Sequence, residues 1–472
     1  MFYPKRQLIL TWIAALLAGC LLLSLAACGG GSGSGSGDGG SGGSSASGKT
    51  VLNLWAFTDE VPKMVDKFLA SRPDFAEKYE VKTTVIATTD GAYQPALDQA
   101  LAGGGSDAPD MYCAEAAFVM KYTQGDAAHY AAPYEDLGID VAGDIQAADI
   151  AQYSVDIGTR PDDGKVVGLG YQATGGAFIY RRSIAKEVFG TDDPDAIGAA
   201  IGAGSNGWEK FYEAAETLKG KGYGIISGDG DLWHAVENSS QQGWIVDGKL
   251  NIDPKREEFL DLSKELKDNN YHNDTQDWQD AWFADMKGEG DKGIFGFFGP
   301  AWLINYTIAP NCGGSAVGEG TYGDWAVCAP PVGFFWGGTW LMASNSSANK
   351  EAVGEIIRWI TLDCSETGLQ YMWANGTLNG EGGTKDCVAS GTVMEMSDGS
   401  LDFLGGQNMF DAFVPANQYA NGKCLTQYDE TINTKWRDQV RQYTSGTKTR
   451  DQAIKDFKQD VADNLDVTVD LG

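Results

Sequence analysis

Histidine is scarce in this chain. Only His129, His234 and His272 occur in 472 residues, and they lie far apart. No H-E-x-x-H, paired C-x-x-C, P-loop or triad-like grouping accompanies them, so zinc hydrolysis, nucleotide hydrolysis and Ser–His catalysis have no sequence support. Basic charge is scarce too: 35 Lys and Arg stand against 65 Asp and Glu, a formal net charge of −30. That field repels phosphate backbones, which excludes nucleic acid as a partner class. Internal repeats are missing, as is any apolar run beyond the first thirty residues that could span a bilayer. The lone "GLG" at 168–170 is not continued into a dinucleotide fingerprint. "SGDGDLWHAVEN" and "DNNYHNDTQD" are rich in oxygen ligands but lack EF-hand spacing, so calcium stays open against a solvated acidic loop. Two carboxylates could hydrolyse a glycoside. Among 65 acidic residues, though, such a pair carries almost no information.

What is present begins at the N-terminus. Lys5 and Arg6 precede an apolar run from Leu8 to Ala27, the pattern of an export signal. The run is long enough for a membrane span, so a retained anchor competes with cleavage. "LAAC" (25–28) resembles the bacterial lipobox, whose cysteine is lipidated and becomes the new N-terminus. "LAGC" (17–20) also fits, but Cys20 would leave "LLLSLAA" exposed, whereas Cys28 opens directly into a Gly/Ser stretch. The expected order is therefore signal peptide 1–27, then lipidated Cys28 and a tether to residue 49. Such a coil cannot bury apolar surface, and twenty residues of it span roughly 25 Å. Six cysteines remain: Cys113, Cys312, Cys328, Cys364, Cys387 and Cys424. Outside the cytoplasm they permit three disulfides among 15 pairings. Short loops favour Cys312–Cys328 and Cys364–Cys387, leaving Cys113–Cys424.

At 43% hydrophobic the chain can bury a large core, with two domains the natural expectation. "VLNLWAF" (51–57) predicts a strand. Val61, Met64, Val65, Phe68 and Leu69 follow at helical spacing, with Pro62 suited to a first turn. "YEVKTTVIAT", residues 93–102 and "DMYCAE" continue as strand, helix and strand. This alternation predicts a parallel α/β sheet with ligands beyond the strand C-termini. "GWEKFYEAAETLKGKGYGIIS" predicts a helix and then a strand. "KEAVGEIIRWI" is another amphipathic helix, and Thr449-x-x-Gln452 opens the last one as a capping box. Trp208 and Trp359 continue helical apolar faces and are expected in the core.

Several segments in this order resemble the extracellular sugar-binding lipoproteins of bacterial ABC importers. They are the lipobox, the tether, "LNLWAF", "ADMKGEGDKGIFGFFGPAWLINY", "GGTWLMASNSSANKEAVGEIIRWI" and "SGTKTRDQAIKDF". The resemblance covers residues 50–472 and is similar in detail to binders of gluco-oligosaccharides, cellodextrins above all. It implies an α/β, two-lobed periplasmic-binding-protein-like fold with hinge crossings and a ligand cleft between the lobes. Crossings are expected near 166–181, 328–336 and 398–402. Lobe one would be 50–170 plus 331–400, and lobe two 171–330 plus 401–472. It also implies an ABC permease as partner, no cofactor, no catalysis, a monomer, and a place on the outer face of the membrane, in a Gram-positive cell.

The aromatic inventory is read independently. Many of the 14 tryptophans sit beside Gly, Asn, Gln or Asp rather than aliphatic residues. Trp55 ends the first strand and is followed by Thr58, Asp59 and Glu60. Glu115 ends the third strand, Gln172 and Thr174 lie at the expected hinge, and Asp231 and Trp233 follow "YGIIS". Trp302, Trp336 with Gly337, Trp373, Gln407 and Asn408 occupy turns and loops. A pyranose has an apolar face, and removing about 100 Å² of it from water is worth roughly 2.5 kcal/mol. Each buried, unpaired hydroxyl costs about 1–3 kcal/mol, so carboxylates and amides must meet the ring edges. Each Trp taken singly reads equally well as packing, and Asp59 or Glu115 as a cap or surface charge. The expectation rests on convergence. In "DTQDWQDAWFAD" (274–285), Trp278 and Trp282 have the i,i+4 spacing of one helix face, with Trp278 as the sugar platform and Trp282 as its buried brace. A malto-oligosaccharide ligand, a secreted glycoside hydrolase and a carbohydrate-binding adhesin are the rival readings.

Overall fold

The computed structural model describes residues 48–88, 91–378, 380 and 383–471. Cys20, Cys28, the apolar leader and the tether before Gly48 lie outside the described residues. Two larger sheets organise the rest, beside a small antiparallel pair of Ile245–Val246 with Lys249–Leu250. The first has strand order β2-β1-β3-β8-β4, from β1 (Thr50–Ala56), β2 (Tyr79–Val85), β3 (Met111–Glu115), β4 (Gly168–Gly170) and β8 (Thr339–Ala343). The second places β5 (Ala177–Arg181) between β6 (Gly296–Gly299) and β7 (Trp325–Cys328).

The first sheet begins as its sequence predicts. Leu52, Leu54 and Ala56 of β1 are buried. Helix α1 (Glu60–Ser71) lays Val61, Met64, Val65 and Phe68 into the core. Strands β2 and β3 both run parallel to β1, and α2 (Tyr93–Gly103) connects them. The parallel expectation holds for these three strands but does not extend across the whole sheet. Strand β8 is antiparallel to β3 and β4, because it enters from the other sheet through a crossing rather than after a right-handed crossover helix. In the second sheet β5 is antiparallel to both neighbours. "YGIIS" is no regular strand: Gly224 and Ile226 make only isolated parallel bridges, to Ile294 and His272.

The helices of the second lobe pack aromatic faces. Helix α3 (Glu209–Lys219) buries Phe211, Ala214, Ala215 and Leu218, and Phe211 meets Phe178 of β5 edge-on at 6.2 Å. Helices α4 (Asp229–Glu237), α5 (Pro254–Asp268) and α6 (Asp280–Lys287) follow. Helix α7 (Lys350–Thr361) returns to the first sheet, packing against β8 and α1 and burying Val353, Ile356, Ile357 and Ile360. The chain ends in α8 (Asp429–Thr444) and α9 (Arg450–Asn464). Thr449 accepts the Gln452 amide at 3.2 Å, but the Gln452 side chain turns to Asp456, so only half of the capping box forms. Trp208 and Trp359 are both buried.

Residues 171–176 and 329–338 carry the chain between the sheets, and they pair with each other. Gly176 donates to the Phe334 carbonyl at 2.9 Å and Trp336 to the Thr174 carbonyl at 3.1 Å. A Cβ on Gly176 would stand 2.1 Å from the Phe334 ring, so only glycine fits there. The turn Asp402–Leu404 lies against β7.

The disulfide expectation is overturned. All six cysteines among the described residues are free, five of them buried. The buried five behave as small apolar fillers inside a core large enough to need no covalent staple. No group of His, Cys, Asp and Glu among the described residues could hold a metal ion, and no described helix is long and apolar enough to cross a membrane.

Candidate functional site

Three indoles meet where the crossings pass. Trp278 is not on a helix: it stands in the turn before Gln279, the N-cap of α6, with φ of +66°. A bulky residue in this left-handed region is unusual and marks local strain. The helical i,i+4 reading is therefore corrected, although the Trp278 ring still lies 5.4 Å from that of Trp282. Trp278 is 43% exposed, whereas Trp282 is buried and donates Nε1–H to Asp231 at 2.9 Å. Trp302 follows β6 and immediately precedes a π-helical turn, Leu303–Ile308. Its Nε1–H is anchored on the Trp336 carbonyl at 3.0 Å. The rings of Trp278 and Trp302 are nearly parallel, while Trp336 stands at about 60° to both, 4.7 Å from Trp302 and 6.2 Å from Trp278. Gly337 has φ of +73°, and a Cβ there would touch both Trp302 and the Glu115 carboxyl.

Two cavities flank this cluster. The larger, about 250 Å³, is bounded by Glu115–Ala117 at the C-terminal end of β3 and by Trp233, His234 and Glu237 of α4. Trp336, Gly337 and the α8 residues Glu430, Asn433 and Arg437 complete it. The smaller, about 180 Å³, is bounded by Asp59, Glu60 and Lys63 of the α1 start, by Trp302, Asn305 and Tyr306, and by Trp373 and Asp386. Both draw walls from segments far apart in sequence, and each includes residues at or just beyond a strand C-terminus, where open α/β sheets bind ligands. Gln94 of α2 donates to the Glu430 carboxyl of α8 across the cleft.

Burial dominates the electrostatics. It pushes Glu115 up to about 7 against the opposing hydrogen bond from the Ala117 amide at 2.7 Å. Burial also pushes Glu237 to about 7 and raises Glu430. Asp386 rises to about 7 by burial, despite donors from Gln172 at 3.0 Å and Trp373 at 3.4 Å. Glu60 is raised by burial and accepts the Tyr171 hydroxyl. A carboxyl near its midpoint can donate or accept, which suits hydroxylated, uncharged ligands. Asp277 is the exception. Burial opposes its charge, but the Arg437 fork and the His234 ring hold it well below the carboxylate range.

Of the residues singled out in the sequence, Asp59, Glu60, Glu115, Trp233, Trp302, Trp336, Gly337 and Trp373 border the cavities. Trp233 does so from the core, packed 4.8 Å from Phe259. Asp59 pairs with Lys63 at 2.6 Å. Gln172 and Thr174 are buried behind the walls, and Thr174 donates to the Gly337 carbonyl at 3.0 Å. Trp278, Trp55 and Thr58 border neither cavity: Trp278 reaches them only through its ring contacts with Trp302 and Trp336, the Trp55 carbonyl accepts the Tyr93 hydroxyl and the Thr58 hydroxyl accepts the Glu60 amide. Asp231, Gln407 and Asn408 do not face ligand space. Asp231 is buried and accepts the Ser227 and Gly228 amides at the start of α4. Gln407 pairs its side-chain amide with both backbone groups of Val327, extending the edge of β7, while Asn408 accepts the amides of Gly399 and Phe410. Polar side chains in loops satisfy local backbone as readily as ligand, and sequence does not distinguish the two.

Sequence reasoning missed His234, Glu237, Tyr306, Asp386, Glu430, Asn433 and Arg437. Their only signal was proximity in space. Asp277 stood in the quoted stretch, but its partner Arg437 is 160 positions away.

No curated protein matches the chain. Solved structures do, at low identity, and they are alike in fold. The galacto-N-biose/lacto-N-biose I-binding protein of an ABC transporter from Bifidobacterium longum, in complex with lacto-N-biose, is 16% identical with a TM-score of 0.66. The match covers 90% of this chain and 99% of that one. An ABC substrate-binding protein from Listeria monocytogenes in complex with cycloalternan gives 16% and 0.62, over 88% and 98%. The sugar-binding protein MalE from Xanthomonas citri gives 15% and 0.62, over 88% and 97%. In sequence, residues 55–363 match the bacterial extracellular solute-binding proteins, and this chain belongs to that family.

Proposed function

We propose that this protein captures an oligosaccharide in the cleft and presents it to the permease of an ABC importer, with a β-gluco-oligosaccharide such as a cellodextrin as its ligand. The observation that carries the reading is the meeting of Trp278, Trp302 and Trp336 between two cavities edged by Glu115, Glu237, Glu60 and Asp386. Indole faces supply affinity for pyranose C–H surfaces, and carboxyls supply partners for ring hydroxyls. Solved structures of the same fold in complex with lacto-N-biose and cycloalternan support a glycan as ligand class. The lobes are taken as 50–170 plus 331–400 and 171–330 plus 401–472. Closing them on the ligand gives the permease one surface to read, which couples delivery to occupancy. The body acts as a monomer held by lipid on Cys28 at the outer face of the membrane, and binding needs no turnover.

Calorimetry against cello-, malto-, xylo- and laminari-oligosaccharides, with product analysis after prolonged incubation, tests this. Cellodextrin should bind with micromolar or tighter affinity, about −8 kcal/mol, and be recovered uncleaved. Preference for malto-oligosaccharides would replace the ligand, and accumulating shorter sugars would replace binding with hydrolysis.

A further inference from the structure

We propose that Arg437, Asp277 and His234 form a positioning relay centred on Asp277, which holds the indoles of Trp278 and Trp336 in one fixed relation. The inference rests on reading the cleft as the ligand site. Arg437 of α8 grips Asp277 with two nitrogens, Nη2 to Oδ1 at 2.7 Å and Nη1 to Oδ2 at 3.2 Å. The same carboxylate meets Nε2 of His234, on α4, at 3.2 Å. Both carboxylate and imidazole are nearly buried, with side-chain exposures of 8% and 10%. Three separate elements are thus tied at one charged group.

Each end of the relay reaches an indole. Asp277 directly precedes Trp278, whose left-handed backbone a bulky residue adopts only when its surroundings enforce it. A buried, two-pronged ion pair on the preceding residue supplies that enforcement. At the other end, the His234 imidazole stacks on Trp336 with centroids 3.5 Å apart and planes within 12°. A phenyl ring would fill this stack equally well. The imidazole instead leaves Nδ1 buried without a hydrogen-bond partner, so what it adds over phenyl is the bond to Asp277. The fold also makes room for the pair: a Cβ on Gly230 of α4 would stand 2.4 Å from Asp277 Oδ1 and 2.7 Å from Arg437 Nη2.

The relay acts through the indoles, so its loss must register in them as well as in affinity. Asp277→Asn keeps the shape but breaks the charged grip, His234→Phe keeps the stack but cuts the link, and Gly230→Ala crowds the pair while leaving both side chains chemically unchanged. Cellotetraose affinity by calorimetry, near-ultraviolet circular dichroism of the ligand-free protein and the urea midpoint are measured on each. Expected are a tenfold or greater loss of affinity and an altered indole spectrum in all three, with the His234→Phe midpoint close to the parent. In a Trp336→Ala background His234→Phe should cost little further affinity. Unchanged spectrum and affinity in His234→Phe would overturn the relay, as would a loss equally large without Trp336. Failure of every sugar to bind the parent protein would overturn the functional reading instead, and the indole spectra would then decide the relay alone.

Discussion

Trp278 and Trp302 face each other with planes 10° apart and ring centroids separated by 6.4 Å. One stands in a left-handed turn before a helix and the other ahead of a π-helical turn, 24 positions later. Neither is held by the other alone. The Trp302 indole is pinned to the Trp336 carbonyl, and Trp278 rests on the buried ring of Trp282. A pair of rigid apolar faces is thereby supported from beneath by packing and from the side by the crossing segment.

Substitution should separate platform from support. Trp278→Ala is expected to weaken sugar binding by about 2–3 kcal/mol, from the apolar area lost to the sugar face, with melting nearly unchanged. Trp282→Ala should cost about 3–5 kcal/mol of folding stability as a large-to-small core change, and it also strips Asp231 of the indole N–H it accepts. Titration and melting of both variants check this. Early melting with normal binding in Trp278→Ala would remove that residue from the ligand surface.

Acidic conditions should favour the fold until they reach Asp277. Buried Glu115, Glu237 and Asp386 are pushed to about 7 and Asp231 to about 8. Their native pKa values exceed the unfolded ones, so the native state binds more protons between roughly pH 4 and 8 and loses stability as pH rises through that window. Asp277 has the opposite sign: its contribution is present above its ordinary carboxylate value of 3.8 and is lost as pH falls below it. Melting temperature against pH should therefore peak on the acid side of neutrality. Glu115→Gln should flatten the descending limb, and an unchanged limb would count against Glu115 as a contributor.

Reductant should leave the melting temperature unchanged. Six thiols should react with a thiol reagent in guanidinium without prior reduction, since all six described cysteines are free. Fewer than six reactive thiols, restored by reductant, would reveal a disulfide.

Anchoring tests the leader. Cys28→Ala should release the protein from membranes or leave the signal uncleaved. A correctly processed Cys28→Ala chain that stays membrane-bound would refute lipid attachment at this cysteine.

Much of the architecture was legible because its determinants are local. The apolar spacing of Val61–Phe68 and of Val353–Ile360 is a property of a dozen consecutive residues, and it fixes a helix face wherever the helix is placed. Strands β1 to β3 alternate with helices at short range, so their parallel pairing followed. The antiparallel entry of β8 did not, because strand direction depends on the route by which a distant segment arrives. Aromatic residues beside polar ones singled out Trp302, Trp336 and Trp373, and these border the cavities. The same pattern in Gln407 and Asn408 marked backbone pairing instead.

By itself, then, the sequence determined which stretches coil, which extend and which carry aromatic or acidic side chains, since backbone preference and hydrophobic period act over a few residues. Only the tertiary structure decided that Trp278 would leave its helix for a left-handed turn, that six cysteines would stay apart, and that His234, Asp277 and Arg437 would meet. A contact across 160 positions has no local energetic signature. It exists because two helices, α4 and α8, each placed by its own apolar face, and the turn before α6 meet at one point where a buried charge must find its partners.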